Sequence, residues 1–217
     1  MSEIIETHFS FFETEIEFTE PALKLWLDRI AIVEAVYAAM RPWNITVDDV
    51  EVITTGKPSE QGVRFKIPEK RSSFFFGAAA CKFSRDNTSW NTAEETISIL
   101  DAALKAFSGQ SQVTFKTFKT AVALHVQPKV KPFVEVMQPI IPANMAALEG
   151  EPCKTMAIIL KWPTRRVTID GSAQLANGLF IRYERDFPGD ATFDIMAKQL
   201  YADEMQIFAM LDVTEQA

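Results

Sequence analysis

The 217-residue chain has few of the residues that most often carry catalysis or metal binding: two cysteines, Cys81 and Cys153, and two histidines, His8 and His125. The cysteines lie far apart and form no CxxC pair. That spacing predicts two free thiols in a reducing compartment rather than one long-loop disulfide. No His, Cys, Asp and Glu group has metal-site spacing, so no metal is expected. There is no Walker loop, GxGxxG, GxSxG or HExxH, and no cofactor is expected. No run approaches the ~20 apolar residues of a membrane span. Glu3 and Glu6 stand where a secretory leader would be basic, which predicts a cytoplasmic protein without membrane contact. Basic residues are in deficit too: 22 Lys and Arg against 29 Asp and Glu give a net charge of −7. An acidic chain is repelled by phosphate backbones unless it segregates a basic face.

What the chain has in excess is phenylalanine, with 17 copies. "FFETEIEF" (11–18) alternates. Phe12, Thr14, Ile16 and Phe18 fall on one face and Glu13, Glu15 and Glu17 on the other, the pattern of a half-buried strand. After Pro21, Leu23, Leu27, Ile30, Val33 and Tyr37 recur at helical spacing as far as Met40, and Pro42 ends the helix. Three extended runs follow: "DVEVITT", "GVRFKIP" and "SSFFFGAAACKFS". The next helix is expected over "NTAEETISILDAALKAF". Asn91 or Thr92 caps it, Glu94 and Glu95 sit in its first turn, Ile97, Leu100, Leu104 and Phe107 form its stripe, and Gly109 stops it.

The order β-α-β-β-β-α then starts again. "FKTAVAL" from Phe118 repeats "FETEIEF" from Phe12; "PKVKPF" from Pro128 repeats "PALKLW" from Pro21; "RYERD" from Arg182 repeats "KFSRD" from Lys82. A last helix runs from near Asp190 through Phe193, Ala197, Leu200, Glu204, Phe208 and Leu211. The expected fold is α+β: two tandem repeats, residues 1–109 and 110–217, sharing one pseudo-twofold antiparallel sheet with helices on one face. The second repeat's first helix carries Pro132, Pro139 and Pro142 and must be short or broken.

Taking 72–84 as one strand, Phe75, Gly77, Ala79, Cys81 and Phe83 share the helix-packed face. Cys81 is then a small buried hydrophobe rather than a nucleophile, which would sit on a glycine-flanked strand-to-helix turn. The opposite face would carry Phe74, Phe76 and Lys82, joined by Phe11 on the first strand and by Phe180 and Arg182 on the counterpart strand. An open phenylalanine cluster needs a cover. A second copy of the chain, another protein, a small apolar ligand and the loop over 139–152 are the alternatives. The best polar candidates are two Arg-Asp pairs, Arg85 with Asp86 and Arg185 with Asp186, each where a strand leaves the sheet. They read more readily as helix-end or carboxylate contacts than as anion sites.

The basic run "KWPTRR" (161–166), with Arg64, Lys66, Lys70 and Arg71, invites a nucleic-acid test. The halves carry net charges of 11 − 17 = −6 and 11 − 12 = −1. A solvated, aggregation-blocking hairpin edge is the commoner meaning of such a run.

A duplicated β-α-β-β-β-α unit resembles the TATA-binding-protein topology, which implies a saddle with helices on the convex side. That family reads DNA with a basic, aromatic sheet; here Glu13, Glu15 and Glu17 would occupy the same face, and nucleic acid is not the expected partner. The chain is also similar in layout to a sporadically distributed family of uncharacterised bacterial proteins. The stretches that carry this are "FSFFETEIEF", "KTAVALHV" and "QIFAMLDVTE" (206–215); the resemblance implies no activity. The expectation is a non-enzymatic interaction protein, as a homodimer or with a protein partner. The alternatives are a small-molecule or enzymatic pocket between sheet and helices, and a nucleic-acid binder using the hairpin cations.

Overall fold

The structure is a computed structural model and describes residues 2–54, 56, 57, 60–141 and 157–216. Its elements run β1 (Glu3–Phe18), α1 (Lys24–Leu27), α2 (Arg29–Met40), β2 (Val50–Ile53), β3 (Gly62–Ile67), β4 (Ser72–Gly77), β5 (Ala80–Asp86) and α3 (Ala93–Ser111). Then come β6 (Phe115–Pro128), α4 (Phe133–Met137), β7 (Ile158–Lys161), β8 (Arg165–Gly171), β9 (Leu179–Pro188), α5 (Phe193–Leu211) and β10 (Val213–Glu215). The strands hydrogen-bond in the order β2-β3-β4-β5-β1-β6-β9-β8-β7, and β10 pairs with β1. The α+β class with a large antiparallel sheet is therefore as expected; the β1–β10 pair is parallel. Among the described residues, four strands rather than three separate α2 from α3, while three separate α4 from α5. No described helix is long and apolar enough to cross a membrane. Cys153, and all but residues 139–141 of the 139–152 loop expected as a candidate cover for the sheet, lie outside the described residues.

The chain divides into two compact units drawn from interleaved segments, a larger one (11–120 and 186–197) and a smaller one (1–10, 121–185 and 198–217). In the larger unit, Thr14, Ile16 and Phe18 of β1 are buried as their alternation predicts. Thr14 lies opposite Phe83 and Ile16 opposite Cys81. Phe107 of α3 stacks on Phe76 at 4.5 Å and on Phe18 at 5.5 Å, sealing the helix to the sheet. Cys81 is fully buried, and that burial pushes its thiol well above the ordinary value, so it stays protonated and inert.

Three expectations fail here, each for a local reason. First, 72–86 is a hairpin, not one strand. Phe74 pairs with Phe83 and Phe76 with Cys81 across a turn at Ala78 and Ala79. Crossing that turn reverses the parity, so Phe74 (0% exposed) and Phe76 (1%) belong to the core and not to an open face. Second, Asp28 leaves helical geometry at φ −136, ψ 50, breaking the expected helix into α1 and α2. Beyond the break the buried stripe is Ile32, Val36 and Met40, while Leu23, Leu27 and Ile30 are exposed. Third, α3 runs through Gly109 to Ser111. It stops at Gln112, whose φ of 59° is left-handed.

In the smaller unit, β8 and β9 pair with Val167 opposite Tyr183 and Ile169 opposite Ile181, all buried. Leu200, Glu204, Phe208 and Leu211 of α5 are buried, as their spacing predicts. Helix α4 is five residues long and passes into a 3-10 turn at Pro139, the interruption its prolines require.

Candidate binding face

The smaller unit presents the candidate site on the sheet face opposite to that of Ile181 and Tyr183. Phe180, Arg182 and Glu184 alternate with those core residues along β9 and are half-buried. On β6, His125 alternates with the buried Leu124 and Val126 and points the same way as Phe180. Its ring lies 5.0 Å from that of Phe180, at 44°. Phe9 of β1 completes the row, meeting His125 edge-on at 6.3 Å. Phe9 is 45% exposed. Three rings from three adjacent strands thus line up on one face.

The imidazole is held in place. Its Nδ1 lies 2.8 Å from the Ser172 hydroxyl. That hydroxyl oxygen also accepts the backbone N–H groups of Gln174 at 3.1 Å and Leu175 at 3.0 Å. With both lone pairs engaged, Ser172 donates its proton to Nδ1, leaving the proton of neutral His125 on Nε2. Burial holds the His125 pKa below its ordinary 6.5, so the ring is uncharged at neutral pH. The serine is a turn-forming group rather than a nucleophile.

Around this row lie charges. Arg182 Nε donates to Glu184 at 2.7 Å. Phe180 and Arg182 occupy the face expected of them. Phe11, in the larger unit, is half-buried beside the glutamate row of β1. There Glu15 is paired with Lys82 at 3.1 Å and Glu17 with Lys119 at 2.5 Å.

The Arg-Asp pairs divide. Both arginines reach helix side chains, as expected. Buried Arg85 donates to Thr96 at 2.9 Å and to Glu95 at 2.6 Å. Arg185 grips Asp203 through two bonds of 2.7 Å, which raises the Arg185 pKa further. Asp86 and Asp186 are exposed and form no part of either contact. Arg165 joins Asp203 at 2.8 Å and stacks its guanidinium 4.2 Å from the Trp162 ring. Separately, an open, largely polar cleft in the larger unit is lined by Thr19, Glu20, Lys24, Ser111, Gln112 and Thr114, among others. Among the described residues no group of His, Cys, Asp and Glu is placed to hold a metal ion.

Phe9 and His125 are residues of the candidate face that the sequence reading does not place there. Strand β1 begins eight residues before the expected Phe11, at Glu3, which brings Phe9 in. The parity of His125 against Leu124 and Val126 was the available signal for the second.

No protein-family model matches the chain, and no curated protein matches it. A solved structure of the rolling circle replication initiator protein from Geobacillus stearothermophilus is similar over 92% of this chain and 80% of that one, at 11% identity and a TM-score of 0.36. An unknown protein from Galdieria sulphuraria covers 95% of this chain and 92% of its own, at 12% identity and a TM-score of 0.17. Scores this low bear on neither fold nor function.

Proposed function

We propose that the chain is a non-enzymatic binding protein whose contact surface is the outer sheet face around Phe9, His125 and Phe180. The supporting observation is the row of three part-exposed rings on adjacent strands, with His125 held by the Ser172 hydroxyl. Aromatic rings fixed on a sheet supply contact area at low entropic cost. A tandem origin for the two halves belongs to the same reading. Thr14 and Thr120, equivalent positions in the expected repeats, meet hydroxyl to hydroxyl at 3.1 Å in the buried interior. A twofold relation between the repeats would bring such equivalents together.

Native mass spectrometry of the purified protein tests the binding reading, by oligomeric state and retained mass. Phe9→Asp and Phe180→Asp should each shift one or both while leaving the circular dichroism spectrum intact. Spectra and masses unchanged in both variants would sink it.

A further inference from the structure

The same face of the smaller unit carries cations, and they point to its occupant. Strands β7 and β8 place Lys161 directly opposite Arg166. Both side chains are exposed. Like charges facing each other across a ladder destabilise a sheet, so this pair costs the fold something. Guarding a sheet edge against aggregation requires only one of them. In register on β9 come Glu184, opposite Arg166, and Arg182, opposite Thr168. Trp162, at the tip of the same hairpin, is 41% exposed, with its indole already stacked on the Arg165 guanidinium. Arg165 and Arg185 share one buried carboxylate, Asp203. On the outer side of this corner Lys161, Arg166 and Arg182 stand against Asp170, opposite Phe180, and Glu184, 3 − 2 = +1 in a chain whose net charge is −7, while Arg165 and Arg185 face α5 with Asp203. Screening at ordinary ionic strength confines each charge to about 10 Å, so the corner acts locally despite the acidic total.

From this we infer that the outer face of the smaller unit binds single-stranded nucleic acid. Phosphates lie along Lys161, Arg166 and Arg182, and bases stack on Phe180, Phe9 and Trp162. The inference rests on the binding face proposed above and names its occupant. Part-exposed aromatic rings beside a basic track are what unpaired bases on a charged backbone require. The paired glutamates of β1, which spoke against a nucleic-acid partner in the sequence, lie in the other unit and are offset by Lys82 and Lys119.

The test is fluorescence anisotropy with fluorescein-labelled oligo-dT and oligo-U of fifteen nucleotides, across a sodium chloride series. The wild-type chain should bind, with affinity falling as salt rises. Lys161→Ala with Arg166→Ala should weaken binding about tenfold or more and reduce the log–log salt slope by about 1.4, two contacts' worth. Phe180→Ala should weaken it about tenfold with the slope unchanged. All the altered side chains are partly or wholly exposed, and circular dichroism checks the fold. Absence of binding at low salt overturns the inference. So does binding indifferent to these variants, or equal competition by duplex DNA or polyglutamate. If Phe180→Asp dissolves a dimer in the mass spectrum while no oligonucleotide binds, the inference falls and the binding-face reading stands, with a second copy as occupant.

Discussion

Arg85 shows what one buried side chain contributes and what it costs. Its two terminal nitrogens are satisfied by Thr96 and Glu95, but its Nε is buried without a partner among the described residues. Arg85→Ala should lower the unfolding free energy by about 2–3 kcal/mol, and Arg85→Met by less, because the thioether refills the volume without a charge to desolvate. Urea denaturation measures both. Glu95, held by Lys70 and Arg85, has its carboxyl below the ordinary 4.5. The unfolded chain then binds protons more readily than the folded one. The contribution is therefore fully present above pH 4.5 and is lost as pH falls through the lower folded value. Glu95→Gln should flatten the stability–pH curve between pH 6 and 3; a curve of unchanged steepness would assign that loss to other carboxylates. None of this pairing needed the structure to be suspected, since an Arg ending a strand before a helix with acidic residues in its first turn already suggested it. The unpartnered Nε did, because burial of a single nitrogen has no sequence signature.

Among the elements, β1 and α5 were legible because their periodicity runs uninterrupted. Two of the three failures share one cause: a break across which the apolar spacing runs on. Ala78 and Ala79 form the β4–β5 turn without Pro, Asn or Asp, and Asp28 breaks a helix whose apolar spacing continues across it. A count carried through either point lands on the wrong face, as it does for Phe74 and Phe76. The end of α3 offers a direct check. Gly109 sits inside the helix with open space where a Cβ would go, and Gln112 holds a left-handed φ. Gly109→Ala and Gln112→Gly should each stabilise by about 0.5–1 kcal/mol, raising the urea midpoint without changing the slope. A drop in midpoint for Gln112→Gly would mean that its side chain matters more than its backbone. Gly62 behaves oppositely. A Cβ there would lie 2.1 Å from the Phe76 carbonyl oxygen, so Gly62→Ala should pry β3 from β4 and destabilise strongly.

For the chain as a whole, the candidate face was half legible. Phe180 and Arg182 followed from alternation, whereas Phe9 required knowing that β1 starts at Glu3. That early start has a partner: Glu3, Ile4 and Ile5 lie alongside Val213, Thr214 and Glu215, and the Gln216 N–H donates to the Ile5 carbonyl at 2.9 Å. Removing residues 213–217 should strip that ladder and the buried Val213 from the edge of β1, lowering the melting temperature by several degrees. An unchanged transition in calorimetry would show β10 to be ornamental.

The β1–β10 ladder also sets a timetable for biosynthesis. Its strands are 213 − 3 = 210 residues apart. At about 5–20 residues per second, a ribosome needs roughly 10–40 s to deliver the second strand after the first. Throughout that interval the β10 side of the leading end of β1 stays unpaired in the nascent chain, although β6 and Lys129, which bonds the Ile4 carbonyl, are delivered earlier. It is during translation, rather than in the mature fold, that this protein would depend most on a chaperone.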